Sequence, residues 1–106
     1  MAVGKDLAAS KAKAFIALLK KNGIDVSEAY LFGSAVQGLT DENSDIDLAI
    51  VSKDFEGRPY YDIRKISPFR REIDLRLEIH PFSLTDTTEN PSLFFSKIKR
   101  TGIRLN

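Results

Sequence analysis

The feature that most constrains this chain is a spacing: Gly33-Ser34, ten residues, then Asp45-Ile46-Asp47. An apolar run, Ala29-Tyr30-Leu31-Phe32, leads into Gly33, and Leu48-Ala49-Ile50-Val51 follows Asp47. The segment Ser44–Val51 reads as a strand, in which side chains two apart leave the same face. Asp45 and Asp47 then share one face, and Ile46, Leu48 and Ile50 share the other. Neighbouring carboxylates repel one another unless a cation stands between them. A divalent ion that takes oxygen ligands, such as Mg²⁺, fits one or two carboxylates plus substrate phosphates. The Gly33-Ser34 turn can offer backbone N–H groups and a hydroxyl to a phosphate.

The remaining elements build a frame for that pair. Lys5–Lys21 reads as an amphipathic helix, with Leu7, Ala14, Phe15, Leu18 and Leu19 on one stripe, widened by Ala8, Ala12 and Ile16. Asn22-Gly23 is a stop signal. Ala29–Phe32 is a short strand, residues 35–38 a helical turn, and Leu39–Ser44 a loop rich in turn residues. Pro59 opens a short helix that Pro68 ends, with at least one of Tyr60 and Tyr61 in the core. Glu72–Ile79 alternates cleanly, so Ile73, Leu75, Leu77 and Ile79 face one way and Glu72, Asp74, Arg76 and Glu78 the other. Its plain reading is a half-buried strand with a solvated charged face. His80-Pro81 ends that strand, and His80 stays outside the chemistry. Asn90 caps a last helix, Pro91 lies in its first turn, and Gly102 stops it.

The order is helix, strand, turn, strand, short helix, strand, helix. It predicts one α/β (α+β) domain over residues 1–106, a small mixed sheet with helices on one face and the acids on the other. Neither a dinucleotide-binding glycine motif nor a Walker-type phosphate loop is present. The net charge is +1, which gives no footprint for general nucleic-acid or membrane-surface binding. There are no cysteines, so disulfides and cysteine-zinc sites are excluded, in keeping with a cytoplasmic protein. No stretch approaches the roughly 18 apolar residues of a membrane span, and the N-terminal lysines break any signal-peptide pattern.

Gly33-Ser34, ten residues and Asp45-x-Asp47 resemble the signature of the nucleotidyltransferase superfamily related to DNA polymerase beta. The short length and the ending Phe94–Ile103 resemble its minimal nucleotidyltransferase (MNT) branch, which is often paired with a HEPN-domain partner in toxin–antitoxin modules. The resemblance implies the nucleotidyltransferase fold, with Asp45, Asp47 and a third acid, Asp74 (Glu78 in reserve), as catalytic and metal-holding residues. It implies Gly33 and Ser34 at the phosphates, two Mg²⁺ ions, and ATP as the substrate. Two ions roughly 3.5–4 Å apart would neutralise the entering and leaving oxygens. Arg76 would steady a phosphate or pair with Glu78. The implied partner is a HEPN toxin whose tyrosine takes AMP, which makes the chain an antitoxin; a homo-oligomer is compatible with the sequence. Two other readings stand beside it: a non-catalytic partner that masks a toxin by contact, and a transferase acting on a small-molecule hydroxyl.

Overall fold

Helix α1, Lys5–Lys21, forms because its apolar residues recur at helical spacing. The buried stripe is Ala8, Ala12, Phe15, Ile16 and Leu19, while Leu7 is exposed. The face turned to the core is therefore rotated slightly from the expected stripe, toward the small alanines that let the helix approach the sheet. Gly23, at φ +82°, ends the helix in a left-handed turn in which Gly23 N–H donates to Lys20 O and Ile24 N–H to Leu19 O.

The computed structural model describes residues 5–33, 36, 45–89 and 91–106. Ser34, the helical turn at residues 35–38 apart from Val36, the Leu39–Ser44 loop and the Asn90 cap lie outside the described residues. Four strands form one sheet: β1 Glu28–Phe32, β2 Ile46–Ser52, β3 Leu77–Ser83 and β4 Ile103–Arg104. Their order is β3-β2-β1-β4. β1 runs antiparallel to β2 and β4, and β2 runs parallel to β3. A parallel pair needs a crossover, and helix α2, Pro59–Ile73, supplies it. Two further helices, α3 (Leu84–Thr88) and α4 (Leu93–Thr101), follow β3.

The mixed sheet and the fold class are as the sequence predicts, and the layers add one detail. Helices α1 and α2 cover one sheet face, packing on Leu31, Ile46, Leu48, Ile50, Leu77 and Ile79. Helix α4 covers part of the other face, where Phe95 and Ile98 pack on Tyr30, Ala49 and Val51. Among the described residues, no helix covers the acid-bearing end of that second face.

Several local expectations change. Helix α2 continues through Pro68 to Ile73. Pro68 is exposed, and its ring and missing N–H fall on the solvent side. Ile66, Phe69 and Ile73 lie on one helical stripe, buried or packed against the core on both sides of the proline. A mid-helix proline costs about 3 kcal/mol. Burying three large apolar side chains, at roughly 1.5–3 kcal/mol each, offsets that. Tyr60 and Tyr61 are both exposed and stack edge-to-face on each other.

The alternation at Glu72–Ile79 is also split. Ile73 satisfies the helical stripe as well as a two-residue period, and the helix takes it. Asp74 caps α2, its N–H donating to Arg70 O, and its Oδ1 accepts the N–H of Arg76 in a tight turn. Leu75 is consequently 64% exposed and the strand begins at Leu77. It runs on past His80-Pro81 to Ser83, because β3 is an edge strand that tolerates a proline. Ser92, rather than Asn90, caps α4: its Oγ accepts the N–H of Phe95 at 3.0 Å.

Candidate active site

β2 is central and buried, so its register is firmly set by Ile46, Leu48 and Ile50 on the core side. Asp47 consequently points to the opposite face. In the parallel pairing, Asp47 stands directly across from Glu78, and Ala49 from His80. Glu78 and His80 therefore leave β3 on the face that carries Asp47. Donor atoms of Asp47, Glu78 and His80 all lie within 4.8 Å of one another. His80 Nε2 is 3.3 Å from Asp47 Oδ1. The His80 ring sits against Phe32 and Phe94, with centroids 5.0 and 5.8 Å away, which fixes its plane.

Asp45 lies just before β2 and is exposed. It belongs to the same group electrostatically. The Glu78 carboxyl is raised above its ordinary range, first by partial desolvation, then by the charge of Asp47. His80 opposes the shift, and the charge of Asp45 and a hydrogen bond shared with it add to the rise. Three carboxylates thus compete for one small region of the sheet.

Gly33 closes the site from β1. Phe32 is the register partner of Asp47, so the next residue lies beside that carboxylate. Gly33 has φ +75°, and a Cβ built on it would fall 2.5 Å from Asp47 Oδ2. A larger residue would push the Asp47 carboxylate aside and be strained at this φ, so glycine suits the position. Ser34, expected at the phosphates, lies outside the described residues.

The structure does not bring Asp74 to this cluster. Its carboxylate is held bidentately by Arg76, at 3.0 Å from Nε and 2.8 Å from Nη2, with Lys11 4.0 Å away. These contacts, led by the Arg76 hydrogen bond, lower its pKa to about 2. Arg76 accordingly pairs with Asp74 rather than with Glu78. The reserve residue, Glu78, is the acid that stands across from Asp47. His80 was expected to stay outside the chemistry, yet it lies in this cluster, and Glu78-x-His80 repeats the two-residue spacing of Asp45-x-Asp47. That repeat is the signal that could have found it.

Oxygen-rich donors gathered at one end of a sheet, one of them reluctant to ionise, fit a divalent cation. Asp47 and Glu78 supply hard oxygens, Asp45 flanks them, and the His80 nitrogen lies in the same group. The family model described as polymerase beta, nucleotidyltransferase matches residues 13–106. The chain belongs to the polymerase beta-like nucleotidyltransferase family. Its fold agrees with a solved relative, a "putative nucleotidyltransferase" from Sulfolobus solfataricus determined at 1.40 Å resolution. The two superpose with a TM-score of 0.66 at 19% identity, over 94% of this chain and 80% of that one. No curated protein sequence matches. In this nucleotidyltransferase domain the acids share one face of the sheet, and no described helix is long and apolar enough to cross a membrane.

Proposed function

We propose that the protein is a divalent-metal-dependent nucleotidyltransferase that moves AMP from ATP to a hydroxyl acceptor. The observation that carries this reading is the opposition of Asp47 and Glu78 across β2 and β3, in a chain of this family. Asp47, Glu78 and Asp45 would hold the metal, with His80 hydrogen-bonded beside them. When bound, a divalent ion neutralises charge on the phosphates and on the attacking oxygen.

The chain's own residues do the rest. Gly33 keeps the backbone low enough for the Asp47 carboxylate and for a phosphate to approach. His80, with Nε2 protonated, donates to Asp47 Oδ1 and holds that carboxylate in one orientation. Glu78, on the side of Asp47 away from Gly33, is placed to take the acceptor's proton. The acceptor oxygen bonds to the α-phosphorus, the bond to the bridging oxygen breaks, and pyrophosphate leaves. Ser34 donates its hydroxyl to a phosphate oxygen in this scheme.

The acceptor in this reading is a tyrosine of a HEPN-domain toxin, which makes the protein an antitoxin that acts as an adenylyltransferase in the cytoplasm. Its support is the resemblance of the signature and of the Phe94–Ile103 ending to the MNT branch. The test is a transfer assay with α-labelled ATP, Mg²⁺ and lysate of the source cell. A labelled protein band that requires metal, Asp47 and Glu78 is expected, and the band identifies the partner. No labelled product with ATP, GTP, CTP or UTP, from folded protein that still captures a partner, contradicts the enzyme reading.

A further inference from the structure

A cleft of about 400 Å³ opens beside the acids, between α2 and the edge strand β3. Asp45, Glu78 and His80 line one side of it. Across from them α2 contributes Ile63, Ile66, Ser67 and Arg70. Ile66 and Ile63 give that wall an apolar stretch, and Ser67 and Arg70 make the rest of it polar.

Arg70 is the unusual lining residue. Its Nη2 donates to Leu75 O at 2.8 Å, but its Nε is buried and has no hydrogen-bond partner. Among the described residues the ion pairs join Asp74 to Arg76 and Lys11, Asp47 to His80, and Glu28 to Arg104, and none includes Arg70. A buried donor left unsatisfied costs about 1–3 kcal/mol, more on a charged group. That donor is closed off from solvent, but Arg70 lines the cleft and has no carboxylate partner among the described residues, so the rest of its guanidinium is matched to an anion that enters there.

The location says which substrate brings it. Gly33 approaches Asp47 from the β1 side, and Glu78 from the β3 side. In an in-line displacement the entering and leaving oxygens stand on opposite faces of the phosphorus. With the triphosphate on the Gly33 side, the acceptor comes from the Glu78 side, where this cleft lies.

We propose that the cleft between α2 and β3 seats the acceptor, and that the acceptor carries an anionic group near its hydroxyl, held by Arg70. The inference rests on the transferase reading above and adds the acceptor's chemistry: an apolar body, a hydroxyl facing Glu78, and a carboxylate or phosphate facing Arg70. A tyrosine followed by an acidic neighbour has this form.

Binding of small phenols tests it without requiring turnover. 4-Hydroxyphenylacetate, 4-ethylphenol and tyramine share a phenol and differ in the charge of the tail. The Arg70 Nε–Hε resonance in a ¹⁵N-labelled sample reports occupancy. The anionic phenol is expected to shift that resonance and to bind about tenfold more tightly than tyramine. Arg70→Gln should remove the preference and Arg70→Lys should keep part of it, with amide spectra showing both variants folded. Equal binding of the three phenols, no shift of the Arg70 resonance, or a preference that survives in Arg70→Gln overturns the inference. A wild type that keeps the preference but transfers no label to any acceptor contradicts the transferase reading alone.

Discussion

Asp47 and Glu78 are direct partners in the parallel pairing of β2 with β3, and their carboxylates leave the same face of the sheet within 4.8 Å of each other. Two acids so placed work against folding in the absence of a cation and toward binding in its presence.

This gives a first prediction. The Glu78 carboxyl is raised above its ordinary range. A group with a raised folded-state pKa contributes stability at low pH and loses it as pH rises through that pKa. Above that range, metal-free Glu78→Gln should therefore be more stable than wild type. Glu78 is largely exposed, so screening keeps the gain small, a rise in Tm of roughly 1–3 °C. Calorimetry at pH 8 with chelator should show the rise, and at pH 4 it should vanish. A lower Tm at pH 8 would mean that the carboxylates do not repel.

Asp74 behaves in the opposite sense. Arg76 holds its pKa down to about 2, from an ordinary 3.8. The stability this provides is fully present above the ordinary value and disappears as pH falls through about 2. Asp74→Asn should cost about 1–2 kcal/mol at pH 7. The difference from wild type should shrink steadily below about pH 4. Urea unfolding across pH 2–7 measures it, and a difference that does not change with pH would exclude the Arg76 pairing as the cause.

Gly33→Ala tests the approach of β1 to the acids. The added methyl falls 2.5 Å from Asp47 Oδ2, and φ +75° is strained for alanine. The strain costs about 1–2 kcal/mol. The displaced carboxylate should weaken metal binding by more than tenfold. Urea unfolding checks the strain, and calorimetric titration of Mn²⁺ checks the affinity, which a merely strained turn would leave intact.

The frame was legible because its signals are local. The α1 stripe, the β2 alternation and the Gly23 stop each lie within one turn or a few residues of the chain. The acid across from Asp47 was not legible in the same way. Ile73, Leu75, Leu77 and Ile79 fit a two-residue period, but Ile66, Phe69 and Ile73 also fit a helical one, and packing on α1 decides between them. That decision moves the strand start to Leu77 and brings Glu78 and His80 across from β2. Parallel register depends on contacts far apart in sequence, so the two-residue spacing of Glu78 and His80 shows that they share a face but not that this is the face carrying Asp47.

Asp62 holds the loop that aims α2 at the site. It is 1% exposed, and its carboxylate accepts the N–H groups of Glu56, Gly57 and Arg58 at 2.9, 3.1 and 3.0 Å. Asp62→Ala would strand three donors. It should destabilise the domain by about 2–4 kcal/mol, measured by urea unfolding at neutral pH. A loss under about 0.5 kcal/mol, the level of ordinary surface substitutions, would mean that the loop has another anchor.

The most direct test of the central claim is Mn²⁺ binding, followed by electron paramagnetic resonance, in wild type and in Asp47→Asn, Glu78→Gln and Asp74→Asn. The pairing of Asp47 with Glu78 predicts that both of their variants lose affinity by at least tenfold, while Asp74→Asn binds like wild type. Loss of binding in Asp74→Asn with Glu78→Gln unaffected would contradict it.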